Sequence, residues 1–385
     1  MPAIKALIEK HRDRIIQIRR ALHRIPEPAY TEAKTAAYVA DCLETLGLDV
    51  TTGIARFGVL GSQTFARSGK TLMLRSELDA LPVQEKTDLP FASTHGGAMH
   101  ACGHDGHIAM GLMLARRLAQ QRDRLKGVYY LLFQPAEETI FGGKIFSRLG
   151  FVKALDYFFA VHVGLIPNRN VICGLSFLAD KRYEVVFKGR SAHAGASPEA
   201  GRNALLAACG AVTQLYAVSR HSQGASRINV GKLSSDNAPN IIADRAQFEL
   251  DLRGETNEIC DYLERRAREV IQGAAAMHAV ASKMTFIADA ETAVNSAGLI
   301  TEVRQACLDI GIEDDAIVDH ALIAGSEDAT FIMNEVIRHG GLATYIGLCS
   351  PTSGGHHNET FDFEEQILWR GVELLFQLAG NLSSR

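Results

Sequence analysis

Hydrophobic and polar positions along the chain follow two different periods. Ile4, Ile8, His11, Ile15, Ile18 and Leu22 recur every three or four residues, which predicts a helix over 4–24 that Pro26 and Pro28 stop. A second helix is predicted from Glu32 to Leu46, ending near Gly47, and a third over Ile108–Gln121. Between them come short continuous apolar runs: Lys70–Arg75, Gly127–Phe133, Asp156–Val161 and Leu342–Leu348. Runs of this kind, alternating with helices, predict a mainly parallel sheet covered on both faces.

The middle of the chain has a different pattern. Arg182–Lys188 alternates like a half-exposed strand, Asn203–Val218 reads as an Ala/Leu-rich helix, and Arg227–Leu233 and Ile241–Arg253 read as strands. Thr256 is placed to cap a helix running to about Met277, and Lys283–Ile287 closes the set. The order βαββαβ is that of a ferredoxin-like sandwich. The predicted architecture is therefore α/β: a three-layer domain from residues 1–179 and 294–385, with a ferredoxin-like α+β domain, 180–293, inserted in it.

Composition narrows the functional classes. The chain has 385 residues and a net charge of −4, which argues against a general nucleic-acid or anionic-membrane binder. No apolar run is long enough for a transmembrane helix, and the charged N-terminus is unlike a signal peptide. Seven scattered cysteines without a CxxC pair do not form a disulfide framework. A reducing, cytoplasmic location is the expectation.

The candidate chemistry lies where the strands end. In open α/β sheets ligands bind beyond the carboxyl ends of the strands, and each apolar run above is followed there by Asp, Glu or His. Met99–His107 (MHACGHDGH) presents Cys102 and His104 two residues apart, and Glu137-Glu138 follows the second run. His162 follows the third run, and His357 lies in a Gly-rich turn after the fourth. Thiolate, imidazole and carboxylate suit a borderline divalent metal. Cys102, His104, Glu138, His162 and His357 exceed the needs of one open catalytic zinc and suit two ions sharing a bridging ligand. Taken singly, each has a structural reading: a buried thiol, a solvated charge pair, a core histidine. A Cys–His nucleophile is the competing assignment, with Cys102 as thiolate and His162 and Asp79 in support. That assignment leaves Glu137, Glu138 and His357 without a role.

MHACGHDGH, FQPAEE, AVHVG, SAHAG (191–195), GSEDAT (325–330) and GHHNETFDF (355–363) together resemble the M20 metallopeptidases. The branch is that of hippurate hydrolase-like amidohydrolases, which act on N-acyl or N-aroyl amino acids such as p-aminobenzoyl-glutamate. The resemblance implies two divalent ions, manganese or zinc, bridged by Cys102 and completed by His104, Glu138, His162 and His357. It implies Glu137 as general base and acid, and Asp79 as a residue that orients a ligand. His193 would reach across a dimer from the inserted lid to polarise the scissile carbonyl, with Asn240 and Arg253 holding the substrate. It also implies a homodimer through the lid, with a heteromer of paralogous chains left open. An aminopeptidase or dipeptidase with the same ligands is the alternative activity. Many relatives carry a histidine two residues before the Asp79 equivalent; here that residue is Glu77, whose role the sequence leaves open.

Overall fold

The computed structural model describes residues 2–65, 68–121, 125–165 and 171–383, with side chains from residue 12 onward. Ile4, Ile8 and His11 of the predicted first helical stripe lie outside the described side chains. In chain order the first elements are helices α1 (Pro2–His23) and α2 (Ala33–Thr45) and strands β1 (Asp49–Ile54), β2 (Gly58–Thr64) and β3 (Thr71–Glu77). Then follow α3 (His104–Gln120), β4 (Val128–Gln134), α4 (Gly142–Phe146), β5 (Tyr157–Leu165) and β6 (Val171–Phe177). The middle of the chain supplies β7 (Ala179–Lys188), α5 (Ala204–Tyr216), β8 (Ser226–Ser234), β9 (Arg245–Gly254), α6 (Asn257–Met277) and β10 (Ala281–Ala290). The last part supplies α7 (Ala297–Asp309), β11 (Ile317–Ile323), α8 (Ala329–Arg338), β12 (Leu342–Cys349), β13 (Thr352–Ser353), β14 (Asp362–Phe363) and α9 (Gln366–Ser383).

The chain forms two compact units. One comprises Met1–Ser176, Ala293–Ile323 and Glu327–Arg385; the other comprises Phe177–Thr292 with Ala324–Ser326. The sequence pattern assigns Ala324–Ser326 to the discontinuous domain instead. Backbone hydrogen bonding accounts for their place, because Leu178 donates to the Gly325 carbonyl at 3.1 Å.

The first unit is built on an eight-stranded sheet of order β1-β2-β4-β3-β5-β12-β6-β11. Its centre, β4-β3-β5-β12, is parallel, whereas β1–β2, β2–β4 and β12–β6 pair antiparallel. Successive side chains point to opposite faces of a strand. Leu72, Leu74, Phe159, Val161, Ile346 and Leu348 thus share one core with residues of α3 and α9. Residues of the other parity meet α8 and its approach. There Arg75, fully buried, binds Glu77 and Gln134 on its own sheet and reaches Glu327 and Asp328, each at 2.8 Å. Removing Arg75 from this buried cluster leaves charges without compensation, at a cost of about 3–5 kcal/mol. Urea denaturation of Arg75→Met is expected to show that loss in unfolding free energy.

α1 is tied to α3 by a second buried cluster. Arg19 and His23 both bind Asp105, at 3.1 and 2.8 Å, and the other His23 nitrogen meets Glu85 at 3.4 Å. Burial opposes the imidazolium, but Asp105 and Glu85 outweigh it and raise His23 to about 9. The folded value lies above the ordinary 6.5. Its stabilisation is therefore complete below pH 6.5 and is lost as pH rises through about 9. Over that window wild type is expected to lose of order 3 kcal/mol that a His23→Gln variant does not, measured by urea denaturation at successive pH values.

The second unit is a four-stranded antiparallel sheet of order β10-β7-β9-β8. Tyr183, Val185, Phe187, Phe248, Leu250 and Leu252 form its buried side against Ala207, Ala211, Leu215, Leu263 and Ile271 of α5 and α6. Thr256 Oγ1 accepts from the Ile259 N–H at 3.3 Å, and Asn203 Oδ1 from Leu206 at 3.0 Å, so each helix begins on a capping side chain. The arrangement is ferredoxin-like.

All seven cysteines are free. Five are buried, Cys42 is half-buried and Cys209 exposed. Among the described residues no helix is long and apolar enough to cross a membrane.

Candidate metal centre

Loops and one strand of the first unit converge at the carboxyl end of the parallel sheet. The Cys102 loop turns into α3 at Gly103, whose φ is +90°. A Cβ at Gly103 would lie 2.6 Å from Val163 Cγ2, so the turn that directs Cys102 and His104 to one side needs glycine. The turn after β4 reverses at Ala136, φ +57°, and carries Glu137 and Glu138. His162 lies within β5, which runs further than its apolar stretch suggests. His357, φ +66°, donates its backbone N–H to the Ala101 carbonyl at 2.8 Å, fastening its turn to the Cys102 loop.

These residues form overlapping sets. The donor atoms of Cys102, His104 and His162 lie within 4.8 Å of one another, as do those of Cys102, Glu138 and His357, and those of His104, Glu137 and Glu138. Cys102 Sγ is 3.4 Å from His162 Nε2, and Glu138 Oε2 is 3.3 Å from His357 Nε2. Cys102 therefore belongs to two triads that divide the other four predicted ligands between them.

Electrostatics sharpen the picture. Burial, reinforced by Glu138, Glu137 and Glu77, pushes the Cys102 thiol well up. Burial also raises Glu137, with Glu327, Glu138 and Asp328 adding to it, and lifts Glu138 to about 7 against the opposing charge of His104. Burial and His107 push His162 well down. A divalent cation needs these donors deprotonated and supplies the charge that makes them so.

The donor set fits such an ion on independent grounds. Among the described residues, His104 Nε2 and Glu138 Oε1 are buried without a hydrogen-bond partner, which is costly unless something else binds them. His104 Nδ1 donates to the Asp79 carbonyl at 2.8 Å, which leaves Nε2 as the nitrogen that would yield its proton to a metal. Asp79 Oδ2 accepts the Glu138 N–H at 2.9 Å. Asp79 thereby holds two of the candidate ligands.

Glu77, unplaced from sequence, has its partners here. It binds Arg75 and His107 Nδ1, the latter at 2.7 Å, while His107 Nε2 accepts the Val163 N–H at 3.0 Å. Both nitrogens of His107 are engaged, and the pair braces β5 beside His162. Sequence reasoning missed His107, Glu32, Glu327 and Asp328. His107 closes the MHACGHDGH motif and Glu327 and Asp328 lie within GSEDAT, so their motifs were noted without a role for these residues, whereas Glu32 offered no signal.

Three predicted residues belong to the second unit. His193 is exposed and pairs in a short bridge with Ile241. Its Nδ1 accepts the N–H groups of Gly195 and Ala196, at 3.2 and 3.0 Å, which puts the proton on Nε2. Asn240 is exposed beside it, its carbonyl accepting from Ala194 at 2.9 Å. Arg253 is half-buried, held by both oxygens of Asp251 at 2.9 and 3.1 Å and by the Ala324 carbonyl at 3.1 Å.

Comparison with known proteins gives a consistent result. The chain is 38% identical to the indole-3-acetyl-aspartic acid hydrolase of Enterobacter agglomerans, over 99% of this chain and 98% of that one. It is 34% identical to one of the chains of p-aminobenzoyl-glutamate hydrolase from Escherichia coli K12, with the same coverage. An aminobenzoyl-glutamate utilization protein from Klebsiella pneumoniae superposes with a TM-score of 0.79 at 32% identity, over 98% of both chains. The model of peptidase family M20/M25/M40 matches residues 73–381. The chain belongs to peptidase family M20/M25/M40.

Proposed function

We propose that the protein is a dinuclear metal-dependent amidohydrolase that cleaves N-acyl or N-aroyl amino acids into a carboxylic acid and an amino acid. The observation that carries this reading is Cys102, shared by two donor triads with Glu137 beside them. Relatives named for hydrolysing indole-3-acetyl-aspartate and p-aminobenzoyl-glutamate support the substrate class.

Cys102, His104, Glu138, His162 and His357 would hold the two ions, which when bound supply Lewis acidity toward water and the scissile carbonyl. Glu137 takes the proton of the attacking water and returns it to the leaving nitrogen. Asp79 keeps His104 in the tautomer that leaves Nε2 free. Reaching across a dimer, His193 would offer Nε2–H to the carbonyl oxygen, which gains charge as the tetrahedral centre forms. Asn240 and Arg253 hold the substrate's carbonyl or carboxylate; at Arg253 a substrate carboxylate shares the guanidinium with Asp251.

The same reading makes the second unit a lid and a homodimer surface. Leu205, Leu206 and Tyr216 on α5 and Leu233 on β8 are exposed, an apolar display that suits a self-complementary interface. Light scattering is expected to give twice the chain mass; a monomer that gains mass only with a second, paralogous chain would favour a heteromer. The free thiols suit the cytoplasm. Zinc fits the thiolate better than manganese does, and elemental analysis decides between them.

The activity is tested on protein stripped by a chelator and restored with zinc or manganese. Substrates are N-acetyl, N-benzoyl, p-aminobenzoyl and indole-3-acetyl amino acids, with free-amine dipeptides beside them. Hydrolysis of blocked amides alone is expected. Activity confined to free amines would turn the reading to a dipeptidase, and none on any substrate would overturn it.

A further inference from the structure

The turn that carries Glu137 and Glu138 is held from below by a loop no motif singled out. Glu27–Glu32 (EPAYTE) connects α1 to α2. It is stitched to the Asp79 loop by a bridge between Pro28 and Ala80, where Ala80 N–H donates to the Glu27 carbonyl at 2.9 Å. It meets the Glu137 turn as well: Tyr30 and Phe141 pack edge to face at 5.6 Å, and Thr139 Oγ1 binds the Tyr30 hydroxyl at 3.1 Å.

Glu32 is the innermost contact. It is fully buried, and its Oε1 accepts the Ala136 N–H at 2.9 Å. Ala136 is the residue with left-handed φ on which the turn depends, a conformation that is costly for a non-glycine residue and needs support. Two carboxylates thus grip the N–H groups on either side of Glu137: Glu32 takes that of Ala136, and Asp79 that of Glu138 at 2.9 Å. Among the described residues Glu32 Oε2 is buried with no hydrogen-bond partner. A buried carboxyl is expensive to keep where a smaller apolar residue would fill the space.

We infer that Glu32 is a positioning residue for the metal centre: by fixing the Ala136 peptide it sets where Glu137 and Glu138 project. The inference rests on the metal-centre reading. Burial, with the charge of Asp79, raises Glu32 to about 7. A glutamine of the same shape, uncharged and still offering an oxygen to Ala136 N–H, should therefore replace it. Aspartate keeps the carboxyl but falls one methylene short.

Cobalt(II) tests this without an activity assay. Wild type, Glu32→Gln and Glu32→Asp are stripped with chelator and titrated with cobalt(II), following visible absorption and stoichiometry. Wild type is expected to bind two ions. Glu32→Gln should match its affinity within about threefold and reproduce its spectrum. Glu32→Asp should lose about 10–100-fold in affinity for at least one ion, the usual range when an outer-shell partner is removed, with a changed spectrum. Melting of the stripped proteins separates site geometry from folding: the loss at the metal must appear in protein that remains folded before titration. Wild-type cobalt binding by Glu32→Asp, or equal damage in Glu32→Gln and Glu32→Asp, overturns the inference. A wild type that binds no cobalt overturns the metal-centre reading itself, and the inference with it.

Discussion

A Glu137→Ala variant is expected to keep both metal ions and to lose about 10²–10⁴-fold in kcat, the range a positioned general acid–base group contributes. The separation of effects follows from the turn. Glu137 and its neighbour Glu138 are adjacent in sequence, yet Glu138 faces His357 at 3.3 Å and Glu137 faces His104 at 3.8 Å. Both carboxylates are enclosed, but Glu138 turns toward the outer ligand His357 whereas Glu137 also lies beside Glu327 and Asp328, and the proposed mechanism gives metal binding to the first and the proton to the second. Burial beside Glu327, Glu138 and Asp328 raises its proton affinity, which suits a group that takes a proton from water and must hold it until the amine departs. Glu137→Gln preserves the volume and should be as inactive as Glu137→Ala, because an amide cannot accept that proton. Glu138→Ala should instead lower metal content. Kinetics paired with elemental analysis separate the two residues, and a Glu137→Ala enzyme with full metals and full kcat would remove Glu137 from the mechanism.

What could be read in the sequence follows from what each residue's role requires of its neighbours. β3, β4, β5 and β12 were legible because central parallel strands are buried on both faces and read as unbroken apolar runs. β1, DVTTGI, is largely exposed, and β11, IVDHALI, interrupts its apolar positions with Asp and His. Both pair through backbone groups that leave no such run. β2 is rich in small and polar residues and was equally silent. The candidate donors were legible only jointly: each alone reads as a buried thiol, a charge pair or a core histidine, but together they recur at the ends of several apolar runs. Their supports were not. Glu77 meets His107 across 30 residues, and Glu32 meets Ala136 across 104, in the second case through a peptide N–H that any residue could offer. The left-handed backbone at Ala136 and His357 was equally hidden, since sequence assigns that conformation to glycine or asparagine first. A ligand announces itself by its side chain, whereas a residue that positions a ligand does so only through the fold.

Replacing Cys102 by alanine should have the other large effect, and a broader one. Removing His162 or His357 deprives one donor triad of a member; removing Cys102 deprives two at once. Each is then left with two protein donors, fewer than the three that catalytic zinc sites ordinarily keep. Metal content is expected to fall from two ions per chain to below one, and activity by more than the roughly 10–100-fold that loss of an outer-shell partner costs. Serine should not rescue it. Its hydroxyl occupies nearly the same place but stays protonated where a thiol yields its proton to the metal. The same variant separates the metal bridge from a nucleophilic thiol. A cysteine that attacked the carbonyl itself could be lost with metal content unchanged, and the wild-type enzyme would survive chelation. Retention of two ions by Cys102→Ala, or full wild-type activity after exhaustive chelation, would therefore return Cys102 to the role of nucleophile and leave Glu138 and His357 to be explained anew.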